Sequence, residues 1–168
     1  NPRTFRYSRQ AQILHVALGA AFRRAERLGM IARSPMVNVE KPRHEKREIA
    51  YFSPAEASAY FQAAQKQRGG KLLILMLCIG LRRNEARGLR CGDLGPDGIL
   101  HIRSQRIGSQ QQPLKTQASK RDIPLPEALR SFFDGPEGEY LADISATALR
   151  RAHFATMKAA GIDAEVTL

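Results

Sequence analysis

A short arginine-rich motif, Gly80-Leu81-Arg82-Arg83-Asn84-Glu85, directly follows the apolar run from Leu72 to Ile79. The run packs into a core and Gly80 interrupts it, so Arg82 is expected at or near the start of the next short helix. Free backbone N–H groups and the helix dipole favour an anion at such a point. The planar guanidinium can also donate to two phosphate oxygens at once. Arg82 is therefore a candidate phosphate clamp.

The overall charge agrees with an anionic partner. The chain carries 27 Lys and Arg against 16 Asp and Glu, a formal net charge of +11, and the first 50 residues hold the larger part of that excess. Such a surface attracts polyanions, and its affinity for them falls with salt. Many basic proteins bind no nucleic acid, however, so the charge alone leaves solubility as an alternative explanation.

Composition also limits the class of protein. A chain of 168 residues with 43% hydrophobic content can bury a core, and the run Leu72 to Ile79 is far shorter than the ~20 residues that span a bilayer. No secretory signal opens the sequence. Cys78 and Cys91 lack metal-binding or CxxC spacing and are interpreted as reduced core thiols. We expect a cytoplasmic, nucleoid-associated protein without a membrane partner.

The elements that must position Arg82 fall into two parts. Residues 1–40 contain one long amphipathic helix, predicted from Ser8 to Leu28 and ended by Gly29. Residues 41–50 are charged and contain Pro42, which is typical of an exposed linker. We place a domain boundary in this basic linker, and residues 51–168 form the second part.

The second part is predicted to be mainly helical. Ser53-Pro54-Ala55-Glu56 is a capping box with proline at the first helical position, so a helix begins at Pro54. Further helices follow from helical periodicity and from cap residues such as Ser145 and Gly161. The predicted spans are Pro54 to Lys66, Lys71 to Ile79, a short helix with Glu85 and Leu89, a segment from Pro126 to Phe133, and Ala146 to Ala160.

A small antiparallel sheet of three strands is predicted between these helices. Ile99 to Arg103 alternates apolar and polar residues, as a half-buried strand does, and Gln105 to Gln112 is interpreted as a polar loop. Strands at Pro113 to Thr116 and Lys120 to Ile123 are joined by Gln117-Ala118-Ser119 as a tight hairpin. The predicted fold class is α+β, mainly helical.

The order of these features resembles the tyrosine recombinase family, in particular the phage-type integrases. The resemblance rests on Gly-Leu-Arg-Arg-Asn-Glu-Ala-Arg-Gly-Leu-Arg from Gly80 and Leu-Lys-Thr-Gln-Ala-Ser-Lys-Arg-Asp-Ile-Pro-Leu from Leu114, at this separation. It implies a partial helical core-binding lobe in residues 1–40 and the N-terminal part of a catalytic domain in residues 51–168. Either motif alone would be weak, because both occur by chance in helices and hairpins.

The resemblance implies DNA strand exchange without metal ion or nucleotide cofactor. In such enzymes a tyrosine attacks a phosphodiester and forms a phosphotyrosine bond, which a DNA hydroxyl then reverses. The pentavalent phosphate needs fixed cations around it, and the leaving oxygen needs a general acid. The implied partner is double-stranded DNA, on which the complete protein is expected to self-assemble.

Each matching residue takes a role from the resemblance. Arg82 corresponds to the first catalytic arginine, Lys115 to the hairpin lysine that acts as general acid, and Glu85 to an acidic residue that supports the arginine. Structurally neutral roles remain open for all three, since Arg82 and Glu85 could form a solvated helical ion pair and Lys115 could serve solubility.

Further basic residues are candidates for phosphate contact. Arg83, Arg87 and Arg90 divide between DNA-facing and ordinary exposed positions, and of these Arg83 is taken as DNA-binding. The remaining candidates lie on the linker and beside the predicted hairpin: Arg43, Lys46, Arg47, Lys120 and Arg121.

The sequence also departs from the family pattern. Downstream of Lys115 the family has His-x-x-Arg and then the nucleophilic tyrosine, whereas His153 begins His-Phe-Ala-Thr and lies on the apolar side of its helix. None of the four tyrosines, Tyr7, Tyr51, Tyr60 and Tyr140, matches the nucleophile. We therefore expect a fragment that ends before these motifs and does not cleave DNA. The alternatives are a non-catalytic DNA-binding protein, such as a degraded integrase or accessory factor, and a helical interaction module.

Overall fold

The computed structural model of the chain describes residues 8–42, 50–163 and 166. The chain divides into two compact units, Asn1–Glu48 and Ile49–Leu168. No helix among the described residues is long and apolar enough to cross a membrane.

In the described part of the first unit lie helix α1, Ser8–Arg27, and a 3-10 turn, Pro35–Asn38. The chain leaves α1 through Gly29, whose φ of 68° is a conformation that glycine adopts readily. Met36 N–H donates to the Ser34 hydroxyl, which caps the turn. The predicted helix and its glycine stop are confirmed to within one residue.

The second unit contains the remaining helices of the described chain. Their bounds are α2, Pro54–Ala64; α3, Gly70–Ile79; α4, Arg83–Gly88; α5, Glu127–Arg130, extended by a 3-10 turn at Ser131–Phe133; and α6, Ala146–Ala159. The capping box at Ser53 forms as predicted, since Ser53 N–H donates to Glu56 Oε2 at 2.8 Å and Glu56 N–H donates to Ser53 Oγ at 3.3 Å. The Ser145 hydroxyl caps α6 by accepting from the Ala148 N–H at 3.1 Å. These local signals fix where the helices begin.

Helix α3 is the centre of the core. Its residues Leu72 to Met76 are all buried, because α2, α4 and α6 pack around it. The prediction of a buried helix at this place is confirmed. Cys78, in its last turn, is exposed, and the prediction that it is a core thiol is wrong; Cys91 is half-buried, and both thiols are free.

One polar pair lies inside this core. The Tyr60 hydroxyl lies 2.8 Å from His153 Nδ1, and both side chains are 1% exposed. His153 Nε2 lies 3.0 Å from the carbonyl of Val166, which can only accept, so Nε2 carries the proton and the tyrosine donates to Nδ1. His153 is a packed helix histidine, as predicted.

The strands form two separate antiparallel ladders of two strands each. Strand β1, Ile99–Ile102, pairs with β4, Arg121–Pro124, and places Ile102 opposite Arg121. Strand β2, Ser104–Ile107, pairs with β3, Gln110–Pro113, through a turn at Gly108. The α+β, mainly helical class is confirmed, but the single three-stranded sheet is not what the described chain forms.

Two local predictions about these strands are wrong. The segment from Gln105 to Gln112 is a hairpin and not a loop, and the segment from Gln117 to Ser119 is a 3-10 turn that does not join two paired strands. The hairpin is polar on both faces, so it shows none of the alternation by which a half-buried strand is recognised. It is held by α4, because Gly88 lets the helix backbone approach Gln105 closely.

Candidate phosphate-binding site

Arg82 lies at the junction between α3 and α4. Helix α3 ends at Gly80, which takes a φ of 66°, and buried Leu81 then anchors the chain in the core. Arg82 is extended and immediately precedes α4, while 72% of its side chain remains exposed. The predicted position at a helix start is confirmed. The junction thus presents a guanidinium to solvent from a well-anchored backbone.

The buried Glu85 binds this guanidinium on the side that faces the protein. Its carboxylate is only 2% exposed and accepts from the Arg82 backbone N–H at 3.0 Å and from Arg82 Nη1 at 2.9 Å. It also accepts from Arg121, through Nη2 at 2.9 Å and Nη1 at 3.3 Å. One buried carboxylate is therefore shared by two arginines, one before α4 and one at the start of β4.

The charge state of Glu85 follows from these contacts. Burial raises the pKa of its carboxyl, but the hydrogen bonds from Arg121 and Arg82 outweigh that effect, and the pKa lies below its usual value of 4.5. Glu85 is ionised at neutral pH. Two guanidinium groups against one carboxylate leave one net positive charge at the site, which suits an anion.

A cavity of about 330 Å³ opens beside this cluster. Its lining is formed by Gly80, Arg82, Ala118, Ser119 and Arg121. One wall comes from the junction before α4 and the other from the 3-10 turn before β4. The site is thus a shallow, positively charged recess between two elements that are distant in sequence.

Lys115 lies on the same loop as that 3-10 turn, but it is not one of the residues that line the cavity. It follows the buried Leu114, and its own side chain is exposed. The predicted placement on a hairpin strand is wrong, because β3 ends at Pro113 and β4 begins at Arg121. Lys120, also exposed, lies at the other end of the loop. The loop therefore carries two exposed lysines, and neither of them lines the recess.

A second cavity, of about 550 Å³, is also lined in part by Arg82. It is lined by Met76, Gly80, Leu81, Arg82, Arg83, Asn84 and Gln105. Arg83 is half-buried there, and among the described residues its Nε finds no hydrogen-bond partner. Arg82 thus lines both openings, and Arg83 lines the larger of the two.

The other arginines of this segment are engaged in the fold. Arg87 is 2% exposed and donates to the carbonyls of Ile144, Arg106 and Gly108, so it ties α4 to the β2–β3 hairpin. Arg90 lies with its guanidinium 4.5 Å from the Tyr140 ring and donates to the Gly138 carbonyl. Neither is an ordinary solvated arginine.

Three predicted DNA contacts, Arg43, Lys46 and Arg47, lie outside the described residues.

Tyr140 and Tyr60 have partners of their own: the Tyr140 hydroxyl accepts from Arg90 Nη2 at 3.2 Å, and Tyr60 is buried against His153. The structure brings Arg82, Glu85 and Arg121 together in one cluster. Lys115, Lys120 and Arg83 are not bound to Glu85.

Sequence reasoning missed that Arg121 binds Glu85. These two residues are separated by 36 positions, so no local spacing relates them. The available signal is Glu85 itself, which lies one helical turn after Arg82 and close to the apolar run. If such a carboxylate is buried, it needs a further charged partner.

No known protein-family model matches the sequence, and no curated protein matches it either. Solved structures do match. The Tn1549 transposon integrase in complex with transposon right end DNA is 18% identical with a TM-score of 0.71, and the match covers 92% of this chain and 59% of that one. A lambda integrase dimer bound to a COC′ core site is 18% identical with a TM-score of 0.71, covering 95% and 61%.

The XerA recombinase is similar as well, at 19% identity and a TM-score of 0.53 over 91% of this chain and 56% of that one. The chain therefore has a tyrosine recombinase/integrase fold. It spans about three fifths of the length of the first two solved chains.

Proposed function

We propose that this chain is a duplex-DNA-binding part of a site-specific recombinase or integrase, and that Arg82 contacts the DNA backbone. The observation that carries the proposal is the exposed guanidinium of Arg82, fixed on the buried Glu85 at the edge of a positively charged recess. A fixed arginine loses little conformational freedom on binding and can hold two phosphate oxygens at once.

Two further observations support DNA as the partner. The formal net charge is +11, which favours binding to a polyanion. The integrases of the Tn1549 transposon and of lambda, which share the fold, are described as bound to DNA. The helical interaction module has no comparable support.

In the complete protein we propose the transesterification that the sequence resemblance implies. Arg82 would stabilise the charge that develops on the phosphate, and Lys115, on its exposed loop, would protonate the leaving oxygen. Lys115 lies on the loop that also carries Ala118 and Ser119, two of the residues that line the recess with Arg82. Arg83 and Lys120 would contact neighbouring phosphates, as would the linker residues Arg43, Lys46 and Arg47.

The 168 residues themselves are proposed to bind DNA without cleaving it. No His-x-x-Arg followed by a tyrosine occurs after Lys115. Tyr60 and Tyr140 are held by other side chains, and Tyr51, which is exposed, precedes Arg82 in the chain, unlike the family's nucleophile. The expected complex is therefore non-covalent.

The test combines binding with covalent trapping. Fluorescence anisotropy with a labelled duplex should show an affinity that falls linearly with salt on a double-logarithmic plot. A nicked suicide duplex, incubated with the chain and run on a denaturing gel, should give no protein–DNA adduct. Salt-independent or undetectable binding at low salt would rule out the DNA-binding function, and an adduct would rule out the non-cleaving role.

A further inference from the structure

Arg121 is the first residue of β4 and is paired across the ladder with Ile102. Its guanidinium makes contacts in two directions. Nη1 and Nη2 donate to the two oxygens of Glu85, and Nη1 also donates to the Ser119 carbonyl at 3.3 Å. One side chain thus links α4 to the loop that carries Lys115.

The orientation of Arg82 depends on this link. Helix α4 has only six residues, and the exposed guanidinium of Arg82 donates to Glu85 Oε1. Glu85 is in turn held by the paired donors of Arg121, which match the geometry of a carboxylate. Without Arg121, the carboxylate would be fixed only by Arg82 itself.

The positive charge that Arg82 can present to a ligand depends on Arg121 as well. A buried carboxylate paired with one guanidinium gives a neutral pair, and its negative charge would oppose an approaching phosphate. The second guanidinium offsets that charge, so the positive charge of Arg82 remains available to a ligand. This effect requires Arg121 to be bound to Glu85 and not to the ligand.

We propose that Arg121 is a positioning residue. Through Glu85 it fixes the guanidinium of Arg82 and leaves the positive charge of Arg82 available to a ligand. Through the Ser119 carbonyl it holds the loop of Lys115. The role rests on the proposed DNA-binding function and deepens it. It differs from the sequence prediction, in which Arg121 itself contacts a phosphate. Only 33% of its side chain is exposed, compared with 72% for Arg82.

A double-mutant cycle in the 168-residue chain tests this role. The affinity for a labelled duplex is measured at low salt for Arg82→Ala, Arg121→Ala and the double variant, and urea unfolding shows that each is folded. We expect each single variant to bind about tenfold more weakly and the double variant to bind no more weakly than either one. Arg151→Ala, an exposed arginine of α6, is the matched control for lost charge and should bind like the wild type.

A rescue measurement separates positioning from a merely structural role. If Arg121 offsets the charge of Glu85, then adding Glu85→Gln to Arg121→Ala should restore much of the lost affinity, because the opposing charge is gone. Glu85→Gln also removes the poorly paired buried charge that Arg121→Ala leaves, so urea unfolding is measured on the same variants. A merely structural loss would change the affinity and the free energy of unfolding in parallel. Should Arg121→Ala fail to fold, Arg121→Gln keeps one donor and enters both measurements in its place.

The outcomes distinguish the two proposals. Wild-type chain that does not bind duplex DNA overturns the proposed function. Binding that is weakened by Arg82→Ala but not by Arg121→Ala overturns the positioning role alone. Losses that add to about a hundredfold in the double variant show that Arg121 contacts DNA directly and also overturn it, as does the absence of rescue by Glu85→Gln.

Discussion

At the scale of single residues, Glu85 shows how a buried charge can serve a surface site. Its carboxylate lies beneath the exposed Arg82 and is shared with Arg121. A buried charge is costly unless it is paired and hydrogen-bonded, and here both oxygens are. The contact between Arg82 and Glu85 was predictable from the sequence, because residues three positions apart lie on the same side of one helical turn.

The depressed pKa of Glu85 gives a pH-dependent stability. Because its pKa is lower in the folded chain than the usual 4.5, the stabilisation is present above that value and is lost as the pH falls through the folded pKa. Glu85→Gln should reduce the free energy of unfolding by about 1–3 kcal/mol at pH 7. The difference from wild type should be constant above about pH 4.5 and should shrink as the pH falls below it.

Urea unfolding at several pH values measures this difference. Glu137→Gln is the control, since Glu137 is exposed, and it should change the free energy of unfolding by no more than about 0.5 kcal/mol. A Glu85→Gln difference that grows as the pH falls, or that already changes well above pH 4.5, would contradict a carboxylate whose pKa is lowered by its two arginines.

Arg87 gives a prediction of a different kind, because it supports the fold alone. Its three donated hydrogen bonds satisfy carbonyls of Ile144, Arg106 and Gly108 that would otherwise lack this partner. Arg87→Met should lower the free energy of unfolding by about 2–5 kcal/mol. Arg151→Met, at an exposed position, should have little effect in the same denaturant titration. Equal stability of the two variants would show that the buried guanidinium is not needed.

At the scale of elements, close backbone packing between α4 and β2 holds the site in place. A Cβ added at Gly88 would lie 2.9 Å from Gln105 Cα, so the strand backbone would have to move. We expect Gly88→Ala to lower the free energy of unfolding by about 1–3 kcal/mol.

The matched control is Gly92→Ala, in the same unit. A Cβ there would lie 3.0 Å from Glu137 Cγ, which belongs to an exposed side chain that can turn away. Its effect in urea unfolding should stay within about 0.5 kcal/mol. Comparable losses at the two glycines would contradict the close approach of α4 to β2.

The helices were predictable from the sequence because their signals are local. Ser53 and Ser145 cap α2 and α6, and Gly29 and Gly80 end α1 and α3, each within a few residues of the element concerned. The ladders were not predictable in the same way. The pairing of β1 with β4 joins segments separated by the whole β2–β3 hairpin, and that hairpin is polar on both faces.

The same distinction limits what the sequence says about the site. The prediction placed Arg82 at a helix start and Glu85 within reach of it, one helical turn away, which local spacing decides. It did not place Arg121 on Glu85, because that contact depends on the register of β4 against β1. The catalytic and DNA-binding roles of these residues stay predictions until they are measured.

At the scale of the whole molecule, a recombinase-type fold is combined with a strongly basic chain in which the exposed Arg82 is held by a buried carboxylate. The fold is shared with integrases at a TM-score of 0.71, and the net charge is +11. General charge attraction would be spread over many lysines and arginines. The specific claim is that Arg82 makes a phosphate contact of its own.

The salt dependence of DNA binding by Arg82→Ala tests that claim most directly. Each phosphate contact contributes about 0.9 to the slope of log affinity against log salt concentration, so the variant should bind more weakly and its slope should be smaller by about 1. Arg151→Ala removes the same charge from the exposed face of α6 and should keep both the affinity and the slope of the wild type. An Arg82→Ala chain with unchanged affinity and slope, or one indistinguishable from Arg151→Ala, would contradict the account.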